Sequence, residues 1–422
     1  MLKATNINGK LLPRLFWIVI LASFFAWFFA LLINPHGKQL DLFFLRMADF
    51  WADATNTTGY VSGLDPYYNS VNGLQHHNYP PLPYLLFYLL AHVSMNPING
   101  NFYPLNGYLA YYYQPIWTIL FVIALVASLI LLFTVCVRQL HFKSHFDSVM
   151  VGFSLLLSYP MLFTIERGNI LIIAVLAVTI FVFYYDDECK WKREIALISL
   201  ATAIGIKLSP SIFVLLLFYK KDWKSLYRVC LYSIIFLLLP LCYFEGGFYN
   251  NVLQMLSNIK LHFMYHSEAY GTGLIASYVK YAKFFWGDNF EVNVIVLAIL
   301  RFLKVEVAAL LLLGSCFLKD KWIVVLNLTL VLLILPSVSG GYCMLYMIPF
   351  TVLFLNSLID HEKASLDKVL VFFCLLLIYF VYRCDMSNFF NYNFAVPILA
   401  LISSLYSITS ILEHSKQQRI VR

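Results

Sequence analysis

Charged residues are scarce in this chain. Asp, Glu, Lys and Arg make up 12% of its 422 residues, whereas a soluble protein of ordinary composition carries about 25%. Hydrophobic residues account for 61%, so long stretches are unsuited to water. These stretches are helix-length runs rather than ten-residue alternating segments, which argues against a membrane β-barrel. The composition therefore predicts an integral membrane protein of the all-α class, a polytopic helical bundle.

Several motifs are absent as well. The sequence has eight cysteines but no Cys-x-x-Cys pair, and most of the cysteines lie inside apolar runs. We therefore predict that they are small buried side chains and that they form neither disulfides nor a metal site. No glycine-rich phosphate loop occurs, and no cofactor is predicted. Repeated halves, low-complexity tracts and a soluble domain are not found. Residues 1–422 are therefore predicted to form one transmembrane domain.

The basic residues predict the topology. The net charge of +7 does not call for a nucleic-acid partner, because Lys and Arg retained on the cytoplasmic side explain it. Lys3, Lys10 and Arg14 precede an apolar run from Leu15 to Ile33, which predicts an uncleaved first span. About twelve membrane segments follow from the apolar runs, with both termini inside. The inner segments then hold 19 of the 29 Lys and Arg, in agreement with the positive-inside rule.

Two long segments are expected outside, residues 35–113 and residues 245–292. The first contains a polar, aromatic and acidic stretch between hydrophobic segments. Within it, the run Tyr84–Ser94 follows several prolines and is too short to cross ~30 Å of hydrocarbon. We predict that this run lies in the membrane interface. A second interfacial helix is predicted over residues 40–54, with Asp49 and Asp53 on one face.

Two further features are predicted between the later spans. A tight turn, Glu166-Arg167-Gly168-Asn169, is expected between Val149–Thr164 and Ile170–Tyr185. Residues 195–219 are predicted to form a helical hairpin broken at Pro210, with Lys207 at its tip. A cation inside a membrane segment is costly and usually faces a cavity or a partner. This argument singles out Lys207, Arg301 and Lys304, of which Lys207 and Arg301 are the candidate ligands.

Several short motifs occur in an order that resembles a known family. They are Asp49-Phe50, Gly63-Leu64-Asp65-Pro66-Tyr67, Tyr79-Pro80-Pro81, Gly168-Asn169 and Lys207-Leu208-Ser209-Pro210. Together with the short apolar helix after the third motif, they resemble the GT-C glycosyltransferases over about residues 10–245. More narrowly, the chain is similar to the polyprenol-phosphate-mannose-dependent mannosyltransferase-like family.

The resemblance implies a fold and a chemistry. A GT-C-like bundle has a large first outer loop with interfacial helices, and an aspartate at the start of that loop is the base, which corresponds to Asp49. The implied activity is transfer of a hexose, with mannose as the family's sugar, from a polyprenyl-phosphate donor to an acceptor hydroxyl on a glycolipid or glycan. One carboxylate takes the hydroxyl proton, cations stabilise the leaving phosphate, and the anomeric centre is inverted. The implied location is the plasma (inner) membrane, with the active site outside and membrane lipids as partners, in cell-envelope glycan synthesis.

The candidate substrate-binding residues are polar groups expected at the outer face. They are Lys207, Arg167, Asp53, Asn169, Tyr79, His262, His266 and Arg301. Gly341 stands where related sequences often carry a polar residue or His. If that position binds the donor phosphate in relatives, His262 or His266 is expected to bind it here. Other roles stay open: Glu166 pairing with Arg167, Arg301 pairing with Glu306, and a purely structural turn at Asp65. A metal site is not predicted, because no tight His/Asp spacing occurs.

Two other classes of membrane protein share some of these features. An O-antigen-type polymerase or ligase also has about twelve spans and two long outer loops, but it is expected to use arginines there. The outer loops of this chain hold few, namely Arg46, Arg167 and Arg383. A transporter is expected to show broken helices in two related halves, and only one broken hairpin is found. The glycosyltransferase hypothesis is therefore preferred.

Overall fold

The computed structural model describes residues 4–34, 50–61, 63–69, 73–94, 115–265, 273–287, 289–336, 340–361, 363–381 and 391–421. Within these ranges the chain forms seventeen α-helices. They are α1 (Leu12–Ile33), α2 (Ala52–Tyr60), α3 (Pro81–Ser94), α4 (Pro115–Gln139), α5 (His145–Leu156), α6 (Tyr159–Arg167), α7 (Leu171–Tyr184), α8 (Lys190–Ile206), α9 (Leu215–Tyr219), α10 (Trp223–Leu238), α11 (Gly247–Tyr265), α12 (Leu274–Trp286), α13 (Val294–Ser315), α14 (Lys321–Ile334), α15 (Met347–Ile359), α16 (Leu366–Tyr379) and α17 (Tyr392–Val421). The predicted all-α class is confirmed.

Short elements complete the described chain. The 3₁₀ helices are Leu74–His76, Ser209–Val214, Leu239–Cys242 and Gly341–Tyr346. One pair of antiparallel strands, β1 (Ala4–Asn8) and β2 (Lys363–Ser365), joins the N-terminal segment to the connection between α15 and α16. This small sheet does not change the fold class.

Five helical segments among the described residues are long and apolar enough to cross a membrane. They are Leu12–Ile33, Ile116–Gln139, Trp223–Cys242, Gly341–Ile359 and Tyr392–Gln417. The pair α5 and α6 would add a sixth, but it is bent by 48°. Pro160 has no N–H to donate to the carbonyl of Leu156, so one straight helix over Val149–Thr164 is interrupted. The architecture is that of a polytopic helical membrane protein, and the count of twelve segments stays a prediction.

The chain groups into two compact units. One contains residues 1–39, 136–161 and 267–422, and the other contains residues 40–135 and 162–266. The prediction of a single transmembrane domain stays a prediction beside this division. All candidate site residues that the structure describes, except Arg301, belong to the second unit.

A buried polar cluster joins three helices of the first unit. The Asn327 side-chain amide on α14 donates to the Leu311 carbonyl and the Ser315 hydroxyl on α13, at 3.0 Å each. It also donates to the Ser407 hydroxyl on α17 at 3.1 Å, and the Ser403 hydroxyl donates to the amide oxygen. Lipid tails are as apolar as the helix surfaces, so in a membrane shared polar contacts of this kind add to the van der Waals packing that holds helices together.

The second unit is built on an antiparallel pair of helices. α7 and α8 pack against each other and are joined by only a few residues, so the start of α7 and the end of α8 lie at the same end of the pair. α8 ends at Ile206, and the chain continues after Lys207 in the 3₁₀ helix Ser209–Val214. The break predicted from Pro210 is confirmed.

An aromatic cluster fixes the first loop of the second unit. Buried side chains from α2, α3, α4 and the chain after α10 pack together. They include Trp51, Tyr60, Tyr67, Tyr84, Phe87, Tyr88, Trp117, Phe121 and Phe244. α3 confirms the predicted short helix, but it begins at Pro81. Of the helix predicted over residues 40–54, the described part becomes helical only at Ala52. Asp49 lies outside the described residues.

Candidate functional site

Trp51 lies two residues after Asp49, at the start of α2. Its φ angle is +54°, a left-handed conformation that costs a bulky L-residue about 1–2 kcal/mol. The surrounding contacts must hold it there. Its N–H donates to the Glu166 carbonyl at 2.7 Å, and its buried ring packs edge-on against Phe121 with 4.9 Å between ring centroids. Trp51 therefore fastens the start of α2 to the turn after α6.

The Asp53 carboxylate makes a second connection to the same turn. Arg167 Nη2 donates to its Oδ1 at 2.6 Å, and Asn169 Nδ2 donates to its Oδ2 at 2.7 Å. The Asp53 side chain is 16% exposed and that of Arg167 is 25% exposed. Partial exclusion of water strengthens such charge-assisted bonds. The sequence leaves the adjacent Glu166 open as a partner of Arg167, and the structure pairs Arg167 with the distant Asp53.

Gly168 and Asn169 shape the turn itself. Gly168 has a φ angle of +60°, which glycine adopts without strain. The Asn169 N–H donates to the Thr164 carbonyl at 3.1 Å, and its side-chain oxygen accepts from the Leu171 N–H at 2.9 Å. One asparagine therefore closes α6, caps α7 and holds Asp53.

Replacing Gly168 with alanine is expected to destabilise the second unit by about 1–2 kcal/mol through left-handed strain alone. A Cβ atom there would also lie 3.1 Å from the Cβ atoms of Ala54 and Trp51, so α2 would have to shift. Gly247→Ala is a matched control, because its φ angle is +78° but an added Cβ meets nothing within 4 Å. We expect thermal denaturation to show the larger loss, and transfer assays the larger fall in turnover, for Gly168→Ala. Equal losses in the two variants would contradict this packing argument.

The first loop is held by its own backbone bonds. The Asp65 carbonyl accepts from the N–H groups of Tyr68 and Asn69, which agrees with a structural turn. The Tyr67 hydroxyl donates to the Tyr79 carbonyl at 3.2 Å. Burial raises the pKa of Tyr67 well above its usual range, so the hydroxyl keeps its proton. Tyr79 is thus positioned through its main chain.

Helix α11 holds the same loop from the other side. The Asn258 amide donates to the carbonyls of Tyr67 and His77, at 2.9 and 3.3 Å. His262 Nδ1 lies 3.1 Å from the Gln75 carbonyl. Because a carbonyl only accepts, a hydrogen bond between them needs a proton on Nδ1. His266 lies outside the described residues.

Sequence reasoning named His262 on α11 but missed Asn251 and Asn258 on the same helix. Asn251 donates to the carbonyls of Leu241, Phe244 and Glu245. Asn251, Asn258 and His262 are spaced by seven and four residues, so they share one face of the helix. That spacing was the available signal. Their partners are main-chain carbonyls, which no side-chain motif reveals.

The remaining candidate cations lie elsewhere. Lys207 is half-buried, has an extended backbone and follows the last residue of α8. It shares the end of the α7–α8 pair with Asn169. Arg301 is exposed on α13 in the other compact unit. Direct contacts therefore bring together Asp53, Arg167 and Asn169, whereas Tyr79 and His262 belong to the adjoining contacts of the first loop and α11.

The arrangement offers charge and hydrogen bonding. The described part of the chain contains no group of three His, Cys, Asp or Glu residues suited to a metal ion. A carboxylate with two donors, a half-buried lysine and a constrained aromatic loop are the groups at hand. Such groups can orient a hydroxyl, accept its proton and stabilise an anion.

Comparison with known proteins identifies the family. The model of glycosyltransferase family 87 matches residues 77–336. No curated protein and no solved structure matches the chain. The family match covers more than half of the chain and includes the turn at Arg167 and Asn169, the hairpin at Lys207, and α11. The predicted glycosyltransferase activity is confirmed, and the chain belongs to glycosyltransferase family 87.

Proposed function

We propose that the protein transfers a hexose from a polyprenyl-phosphate donor to an acceptor hydroxyl on a glycolipid or glycan. Family membership supports glycosyl transfer, and the apolar helices support substrates that reside in a membrane. Mannose is the sugar that the sequence resemblance favours. The reaction takes place at the outer face of the plasma membrane, with both termini in the cytoplasm, in agreement with the distribution of Lys and Arg.

One observation carries the assignment of Asp49 as the base. The turn from Glu166 to Asn169 binds the segment immediately after Asp49 at two points, the Trp51 N–H and the Asp53 carboxylate. A general base has to be held within hydrogen-bond reach of the proton it removes. The strained Trp51, two residues after Asp49, fits the tendency of backbone strain to occur at functional sites.

The reaction is a single displacement. Asp49 takes the proton of the acceptor hydroxyl as its oxygen attacks the anomeric carbon. The bond from that carbon to the phosphate oxygen breaks, and the polyprenyl phosphate leaves with the bonding electrons. Attack from the face opposite the phosphate inverts the anomeric centre. Lys207 and Arg167 supply positive charge near the leaving phosphate.

The other candidates receive supporting roles. Asp53 and Asn169 position Arg167 and the chain that carries Asp49. Tyr79 and His262 line the sugar side, and His266 is assigned the same role by sequence. Arg301 stays a prediction for the donor phosphate. No cofactor takes part, because the leaving phosphate belongs to the donor itself.

Lys207→Gln is expected to lower kcat/KM for the lipid donor by about 10- to 100-fold, because a bond from a charged donor contributes roughly 1.5–3 kcal/mol. Lys207→Arg keeps the positive charge and should retain more activity. Lys224→Gln removes an exposed lysine elsewhere in the same unit and serves as the control. Kinetics over a range of donor concentrations separate an effect on KM from an effect on kcat. A loss of equal size in Lys224→Gln would contradict the role of Lys207.

The proposed function is tested with the purified chain in lipid vesicles. Polyprenyl-phosphate mannose, polyprenyl-phosphate glucose and a nucleotide mannose are offered in parallel with a glycolipid acceptor. We expect product only from a lipid-linked sugar, with release of polyprenyl phosphate and an inverted linkage. Transfer from the nucleotide sugar alone, or retention of configuration, would overturn the proposal.

A further inference from the structure

Helix α11 packs a polar face against the protein and exposes an apolar face, which is the opposite of a surface helix in a soluble protein. Its inward face carries Asn251, Asn258 and His262, which bind main-chain carbonyls. Its outward face is mostly apolar and carries one lysine, Lys260. The outer stripe, defined here as five residues each 49% to 71% exposed, comprises Tyr249, Leu253, Leu256, Phe263 and Met264.

The inward bonds prevent the helix from turning this stripe away from its surroundings. Asn258 binds two carbonyls of the first loop, and His262 binds a third. Rotating α11 to bury the stripe would leave those carbonyls without these donors, and each lost bond costs about 1–3 kcal/mol when the group stays buried. The stripe from Tyr249 to Met264 spans about 23 Å at 1.5 Å per residue. A surface of this length needs an apolar environment.

The stripe continues the apolar surface of a candidate membrane span. The span Trp223–Cys242 exposes Ile234, Ile235 and Leu238. Leu239 is exposed near the end of the same span, Tyr243 directly after it, and Phe248 at the start of α11. Exposed apolar side chains thus extend from the span onto the helix. Lys260 is exposed within the stripe, four residues after Leu256, and its stem is long enough for the ammonium group to reach headgroups while its carbons stay in lipid.

We infer that α11 lies in the membrane interface and that the outer stripe contacts the acyl chains of membrane lipids. Residues 245–292, predicted as an outer loop, therefore include a lipid-bound helix. The inference does not depend on the sugar, the donor or the base. It also means that Asn258 and His262 connect the first loop to the lipid surface.

The experiment compares two variants of α11, each with one new tryptophan, either inside or outside the outer stripe. Leu256→Trp lies in the outer stripe, and Asn250→Trp lies on the exposed flank between the stripe and the inward face. Each full-length variant and the wild type are reconstituted in phosphatidylcholine vesicles, with and without bromine on the acyl chains. Subtracting the wild-type spectrum leaves the emission of the added indole.

We expect the Leu256→Trp signal to be blue-shifted and mostly lost in brominated lipid. The Asn250→Trp signal should survive bromine and be quenched by iodide in the water. Tyr249→Trp, an aromatic replacement in the stripe, provides the same readout if Leu256→Trp fails to reconstitute.

Two results would overturn the inference. A red-shifted stripe signal that iodide quenches and bromine does not would place the stripe in water. A blue-shifted signal that neither agent quenches would show that protein covers the stripe, either a second copy or another chain.

Discussion

Asp49→Asn is expected to lower turnover by about 10²- to 10⁴-fold, the contribution of a positioned general base. Asparagine has nearly the same shape as aspartate but cannot take the proton from the hydroxyl group that attacks the sugar. Donor binding should change little, because the proton is transferred only in the transition state. Initial rates with saturating lipid donor in vesicles measure the effect.

The first loop supplies its own controls for this prediction. Asp65→Asn changes a nearby acid whose main chain forms a turn, and it should retain most of the turnover. Asp53→Asn should keep the hydrogen bond from Arg167 and lose the ion pair. If Asp49→Asn is as active as the wild type while Asp53→Asn is inactive, the base is Asp53. All three variants should elute as folded protein, which separates chemistry from misfolding.

Asp53→Ala is expected to destabilise the second unit by about 2–3 kcal/mol. Removing one partner of a fully buried ion pair costs roughly 3–5 kcal/mol because the other charge loses its compensation. The Asp53 and Arg167 side chains are 16% and 25% exposed, so we expect a smaller loss of stability than for a fully buried pair. Asn169 loses its acceptor as well. Unfolding in mixed detergent micelles gives the free energy of unfolding for each variant.

A double-mutant cycle isolates the pair. Arg167→Ala should be similarly destabilising, and the double variant should be more stable than the sum of the two losses predicts, by about 1–3 kcal/mol. A second cycle on Asp187 and Lys192 is the control, because these residues form a 3.4 Å ion pair in the same unit and Lys192 is exposed. Exposed pairs contribute about 0–1 kcal/mol. Additive losses for Asp53 and Arg167 would show that their contact contributes little.

The features that could be predicted from sequence have local causes. The scarcity of charge and the lengths of the apolar runs predicted the all-α membrane class. Pro210 predicted the break after α8, and the prolines before Tyr84 predicted the start of α3. Gly168 and Asn169 marked the turn after α6. At the prolines, Gly168 and Asn169, the residue's own backbone preference decides the local geometry.

The features that escaped prediction depend on residues far apart in the chain. Asp53 and Arg167 are 114 positions apart, and no spacing rule relates them. The left-handed Trp51 depends on the Glu166 carbonyl and on Phe121. Likewise, Asn258 reaches carbonyls of the first loop, whose positions depend on packing. Helices of 10 to 17 residues, such as α7 and α14, leave the number of spans open because their length fits a span poorly.

Asn169 limits which sequences can encode this turn. Its oxygen must accept from the Leu171 N–H while its nitrogen donates to Asp53. Aspartate would keep the first bond but set two negative charges against each other, and serine would cap α7 without an amide for Asp53. A change at position 53 removes the need for the amide, and a change at position 169 leaves the carboxylate short of a donor. Evolution is therefore expected to alter these two positions together, and a natural variant with only one of the changes should be rare.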